Sequence, residues 1–184
     1  MGAMLSFYGN ATNLIFCPSA PDKGLPTPGA INPTGTADSA WHWNLQPPYV
    51  YAASYAYNKW LESDIYGADT RNFTTETAVS QPVLTPVFMD SVWINVYVET
   101  NDLAPTDLYD PLSSSSSSGM PRVCIARHGD MAASAAPRNV PFGQPLPGSI
   151  AMSFVDGHVE PVKLQNLWTY QWHNNWLTPA VRPP

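Results

Sequence analysis

Asp156, Gly157 and His158 put a carboxylate and an imidazole two residues apart across a turn, and His128 is a third member of the same candidate constellation. Carboxylate and imidazole together ligate zinc and other transition metals. A metal held by His128, Asp156 and His158 would activate water for hydrolysis of small esters or lactones. The same residues also fit a role without metal, with Asp156 hydrogen-bonding its own turn and the histidines satisfying core or loop partners. A second set is Glu99, Asp102, Asp107 and Asp110, interleaved with Asn101 and Thr106. Calcium takes several oxygen ligands from flexible acidic loops. The spacing is not that of an EF-hand, and a solvated acidic loop is the commoner cause of such a run. Asp90, at the end of a β-rich run and before Ser91, is a further candidate ligand.

Nucleophiles are harder to place. The chain has no Gly-x-Ser-x-Gly elbow, and Ser113 to Ser118 is a low-complexity run. Cys124 stands four residues before His128. On a strand, at about 3.3 Å per residue, that spacing holds thiol and imidazole more than ~10 Å apart. Neither cysteine belongs to a Cys-x-x-Cys pair, which removes the redox and zinc-knuckle readings. Cys17 and Cys124 fit either two buried thiols in a reducing compartment or a disulfide in an exported chain. A bond closing so long a loop contributes roughly 3–5 kcal/mol in the chain-entropy view. No glycine-rich phosphate loop is present, so no nucleotide cofactor is expected. Aromatic residues gather early (Trp41, Trp43, Tyr49, Tyr51, Tyr55, Tyr57) and late (Trp168, Trp172, Trp176). They fit a glycan-binding platform or, more commonly, core packing.

Composition narrows the classes. With 184 residues the chain suffices for one domain with its own core. Charged residues make up 12%, about half the usual share, against 44% hydrophobic residues and 20 prolines. A formal charge of -6, with eight scattered Lys and Arg, gives no basic face for nucleic acid. No apolar run reaches the ~18–20 residues of a spanning helix, and no signal-peptide pattern opens the chain. Met1-Gly2-Ala3-Met4 reads as a cloning remnant (residues 1–4), which leaves 5–184 as a single domain.

The elements that would position these groups are mostly strands. Residues 20–48 read as a loop rich in turn formers. Tyr49 to Tyr57, Pro82 to Met89, Val92 to Val98 and Arg122 to Arg127 read as strands. Residues 129–148 form a second long loop. Ser149 to Phe154 and His158 to Val162 flank Asp156-Gly157, the strongest short-range hairpin signal in the chain. Leu164, Leu167, Trp168, Trp172 and Trp176 are spaced for a helical turn or two with one aromatic face, ended by Pro179. The fold class expected is α+β, mainly antiparallel sheet with long loops and a short C-terminal helical segment.

Several segments carry a resemblance. They are Phe16-Cys17-Pro18-Ser19, Ser54 to Leu61, Pro86 to Ser91, Cys124 to Gly129, Phe154 to Glu160, and Leu167-Trp168 with Trp172-His173. In this order, from about residue 14 to the end, the chain resembles bacterial prepilin-type proteins with a C-terminal processing-associated H-x9-DG domain, the pseudopilins of type II secretion. It departs from them where a long insertion carrying Arg138-Asn139-Val140 separates His128 from Asp156. The resemblance implies a pseudopilin-like head whose apolar N-terminal helix is missing. It implies a structural filament subunit rather than an enzyme, exported to the periplasm or cell surface and anchored in the inner membrane before assembly. Its partners would be other pseudopilin subunits through that helix, which would also be its only membrane contact, and the head alone is expected to be a monomer. A Cys17–Cys124 disulfide and a calcium ion in the 99–110 loop are further expectations of the resemblance.

Overall fold

The computed structural model describes residues 12–25, 30, 32–46, 49–62, 69–113 and 118–184. Among the described residues, seven strands form two sheets: β1 (Trp41–Gln46), β2 (Tyr49–Ala53), β3 (Tyr55–Asn58), β4 (Pro86–Asp90), β5 (Asn95–Val96), β6 (Ser149–Phe154) and β7 (Val159–Lys163). β1 and β2 make an antiparallel pair. The other five form a sheet in the order β5-β3-β4-β6-β7, antiparallel except where β5 runs parallel to β3. Helix among the described residues is confined to short 3-10 segments, so the architecture is α+β with antiparallel and mixed sheets and few helices. None of these helices is long and apolar enough to cross a membrane. The expectations for residues 1–4 and for most of the serine run fall outside the described residues.

The Asp156-Gly157 hairpin forms as its residue types dictate. β6 and β7 pair from Ser149↔Lys163 to Ser153↔Val159, and Gly157 takes φ 93, which a glycine adopts without strain. β6 alternates strictly, with Ile150, Met152 and Phe154 buried in the main core. On its other edge it pairs with β4 through Met89↔Met152.

Five expectations are corrected. The run Tyr49 to Tyr57 is two strands in different sheets, broken at Ser54. There the backbone N–H donates to Ile15 O at 3.0 Å, and the carbonyl accepts from Ser91 N at 2.9 Å. Trp41–Gln46, read as loop, is a strand that buries Trp41 completely. Only Asn95–Val96 of the 92–98 run joins a sheet. Residues 122–127 are not a strand: Val123 N and Cys124 N both donate to Met120 O, closing a 3-10 turn, and Ala126 N reaches Leu108 O at 3.0 Å. Residues 123–126 are nonetheless fully buried, so this segment threads the core instead of lying in a sheet. The C-terminal helix is shorter than its apolar spacing suggests, a 3-10 segment over Leu164–Thr169. Beyond it, Asn58 holds the chain by donating from Nδ2 to Trp172 O at 2.9 Å and Pro86 O at 3.0 Å.

Trp41, Trp60, Trp168, Trp172 and Trp176 are buried. Their indole N–H groups reach backbone where a partner is present, as in Trp60 Nε1 to Val98 O at 3.0 Å and Trp172 Nε1 to Leu167 O at 2.8 Å. Core packing in a chain poor in charge accounts for them.

Candidate functional site

The site grows from one buried cation. Arg127 is 1% exposed and follows the core-threading segment. Its guanidinium carries five N–H donors, and each has an acceptor. Nε donates to Ala37 O (3.0 Å); Nη1 donates to Ser54 O (2.6 Å) and Asp90 Oδ1 (3.0 Å); Nη2 donates to Thr36 O (2.9 Å) and Ser91 O (3.1 Å). Arg127 thus ties the loop at 36–37, the Ser54 break and the end of β4 to one point. A lysine has neither the donor number nor the planar fork for this.

Asp90 ends β4 with its side chain wholly buried. One oxygen faces Arg127. The other, Oδ2, accepts the Ala151 N–H from β6 at 2.7 Å and meets His128 Nε2 at 3.0 Å. Burial pushes the Asp90 carboxyl up. The hydrogen bond from His128, the Arg127 charge and the Ala151 N–H together outweigh that and hold it below the usual carboxylate range.

His128 is placed by a close approach of two chain segments. Its backbone exchanges both bonds with Ser149, N to O at 2.9 Å and O to N at 2.8 Å. Gly148 makes this contact feasible: at φ +92, a Cβ there would stand 2.8 Å from Ala126 Cβ and 3.2 Å from His128 O. The His128 side chain is one-third exposed. Its hydrogen bond to Asp90 is the largest of the effects that raise its pKa to about 10, followed by that to Cys17.

Cys17 completes the group. Residues 17–20 form a tight turn, with Ala20 N donating to Cys17 O at 2.8 Å, and the Ser54 hydroxyl donates to Ala20 O. That turn sets Cys17 Sγ 3.4 Å from His128 Nε2. Tyr55, opposite Asp90 in the β3–β4 register, lies beside the group. Burial first, and then the Asp90 charge, push its hydroxyl up to about 12.

Cysteine, histidine and aspartate are the residue types of a cysteine hydrolase triad, but the geometry differs. In such a triad the carboxylate holds one imidazole nitrogen and the nucleophile uses the other. Here Cys17 Sγ and Asp90 Oδ2 both address Nε2. Three ligand-type atoms therefore converge on one point, all within 4.8 Å of one another.

The expected Cys17–Cys124 disulfide is corrected: both cysteines are free and buried. Cys17 faces His128, whereas Cys124 sits in the main core, where burial raises its thiol to about 12. His128 also lies away from Asp156 and His158. It pairs with Ser149 at the start of β6, whereas Asp156 follows the far end of that strand. At about 3.3 Å per residue the separation is roughly 20 Å. Asp156 and His158 pair with each other at the exposed hairpin tip (Oδ1 to Nδ1, 2.6 Å), and the imidazole stacks on Phe154 at 4.3 Å.

The described acidic residues at 99–110 bring no three ligand atoms together. Glu99 pairs with Arg71. Asp102 Oδ2 accepts from Glu99 N (2.9 Å) and Met120 N (2.8 Å), and Asp107 Oδ1 accepts from Tyr109 N and Asp110 N, both at 2.8 Å. Asp102 and Asp107 are turn and loop caps. Among the described residues the one cluster of three or more potential ligands is Cys17, Asp90 and His128.

Sequence reasoning singled out His128 and Asp90 separately and left Cys17 to a disulfide; Arg127 was missed as a hub. The available signal lay in the segments quoted above, since Phe16 to Ser19, Ser54 to Leu61, Pro86 to Ser91 and Cys124 to Gly129 each contribute to this one site. Comparison of the chain with protein-family models, curated proteins and solved structures gave no match.

Proposed function

We propose that this domain is the exported head of a subunit of a type II secretion or type IV pilus-like filament, with a structural rather than catalytic role. One observation carries the reading: four of the segments that carry the resemblance to pseudopilins meet around Arg127, Asp90 and His128, where hydrogen bonds tie them to one another. Residues that mark the resemblance thus act as scaffold, as expected when the head serves as a rigid body on a fibre. In this reading the head projects from a fibre built by an apolar N-terminal helix, and that helix supplies both the membrane anchor and the main subunit contacts. The head by itself is a monomer.

The test follows the parent protein in the cells that make it, using antibodies raised against this domain. A membrane-anchored, surface-accessible protein that cross-links to like subunits in whole cells fits the proposal. A soluble cytosolic protein overturns it.

A further inference from the structure

We propose that Cys17 Sγ, Asp90 Oδ2 and His128 Nε2 form a binding site for a zinc-like divalent ion, with a fourth position left for water. The proposal stands independently of the filament reading.

Distances carry the argument. Zinc bonds nitrogen and oxygen at about 2.0–2.1 Å and thiolate sulfur at about 2.3 Å. Tetrahedral angles then require roughly 3.3 Å between the nitrogen and oxygen ligands and roughly 3.5 Å between nitrogen and sulfur. The corresponding distances here are 3.0 Å and 3.4 Å. The third edge, Cys17 Sγ to Asp90 Oδ2, lies within 4.8 Å, so seating the ion requires the turn at residues 17–20 to draw the thiolate in towards the carboxylate. Binding exchanges protons for the ion: the Nε2 proton and the thiol proton leave, giving neutral imidazole and thiolate as ligands.

The supporting shell is already in place. A carboxylate oxygen has two lone pairs, so Oδ2 can accept the Ala151 N–H and still bind the ion. Arg127 holds Oδ1 and fixes the plane of the carboxylate, the outer-shell role that metal sites require. The guanidinium charge leaves a net charge of +1 on the group of ion, thiolate, carboxylate and arginine. One thiolate and one imidazole select a softer transition ion over calcium or magnesium, which prefer oxygen ligands throughout. The one-third exposure of His128 gives the ion and its water a route from solvent. Three elements distant in sequence supply the ligands, so the ion would also clamp the turn at residues 17–20 onto the sheet.

The experiment is titration of the reduced, chelator-treated protein with Co(II), read by absorption, followed by displacement with Zn(II). Expected is uptake of one equivalent, with a thiolate-to-cobalt charge-transfer band in the near ultraviolet and intense four-coordinate visible bands. Cys17→Ser should abolish the charge-transfer band, and His128→Gln should weaken affinity by more than ~100-fold, beyond the usual effect of losing an outer-shell partner. Cys124→Ala should leave the spectrum unchanged, and near-ultraviolet circular dichroism reports whether each variant folds. Absence of the band from the unaltered protein overturns the proposal whatever the variants do. So does a band that survives Cys17→Ser or disappears with Cys124→Ala in a folded variant.

Discussion

Replacing Arg127 by methionine keeps an unbranched apolar stem in place of the arginine methylenes and removes the guanidinium with all five donors. The variant leaves Asp90 wholly buried without its guanidinium and withdraws one donor each from the carbonyls of Thr36, Ala37, Ser54 and Ser91. Breaking a buried ion pair from one side costs about 3–5 kcal/mol, and each acceptor left unsatisfied in the interior adds about 1–3 kcal/mol. His128 and the Ala151 N–H still serve Asp90, and Ser54 O keeps its bond from Ser91 N, so the sum falls well short of full additivity. We expect a loss of about 5 kcal/mol, close to the whole stability of an ordinary domain. At about 2–4 °C per kcal/mol, that is a fall in Tm of roughly 10–20 °C. Arg127→Lys keeps the charge with three donors in place of five, and should cost about 2–3 kcal/mol. Urea unfolding followed by tryptophan fluorescence measures both, provided the slope m is unchanged. A loss under ~1 kcal/mol for methionine would refute Arg127 as the hub of the fold, as would a lysine variant less stable than the methionine one.

Stability should peak near pH 6.5 and fall on both sides. His128, raised to about 10 in the folded protein against about 6.5 unfolded, contributes fully below pH 6.5, and its share is lost as pH rises through 10. His173 is buried, and this burial, helped by the Arg71 charge, lowers it to about 4. Its share is therefore present above pH 6.5 and lost as pH falls towards 4. Urea midpoints across pH should show His128→Gln flattening the alkaline limb alone; an unchanged limb would contradict the Asp90–His128 bond. Gly148→Ala forces a Cβ against Ala126 at φ +92 and should cost about 2 kcal/mol or more, read as a lowered urea midpoint. Asp156→Ala and His158→Ala change an exposed hairpin tip and should each leave the urea midpoint close to that of the parent.

The β6–β7 hairpin was legible in the sequence because its signals are local: alternating apolar residues and an Asp-Gly turn fix register within a dozen positions. The Tyr49 to Tyr57 break was not legible, because nothing in its alternating pattern says that Ser54 bonds Ile15, Ser91 and Arg127 instead of a strand partner. Arg122 to Arg127 misleads for a related reason. A run of small and β-branched residues reads as a strand, but full burial suits a core crossing just as well, and Leu108 takes one of its N–H groups.

Periodicity describes one element at a time, whereas the site at Arg127 is made between elements. Asp90 read as a strand-end residue, His128 as half of a pair with Asp156, and Cys17 as half of a disulfide with Cys124. His128 and Cys17 were each given a partner by chemical type, and in both cases the fold supplies a different one. The reason is physical: a buried carboxylate must find a cation and N–H donors wherever the chain brings them. Asp90 finds Arg127 and Ala151 in the interior, and the imidazole and thiol at the rim follow from where those place Oδ2. The buried charge fixes the site, and the residues with apparent chemistry are arranged around it.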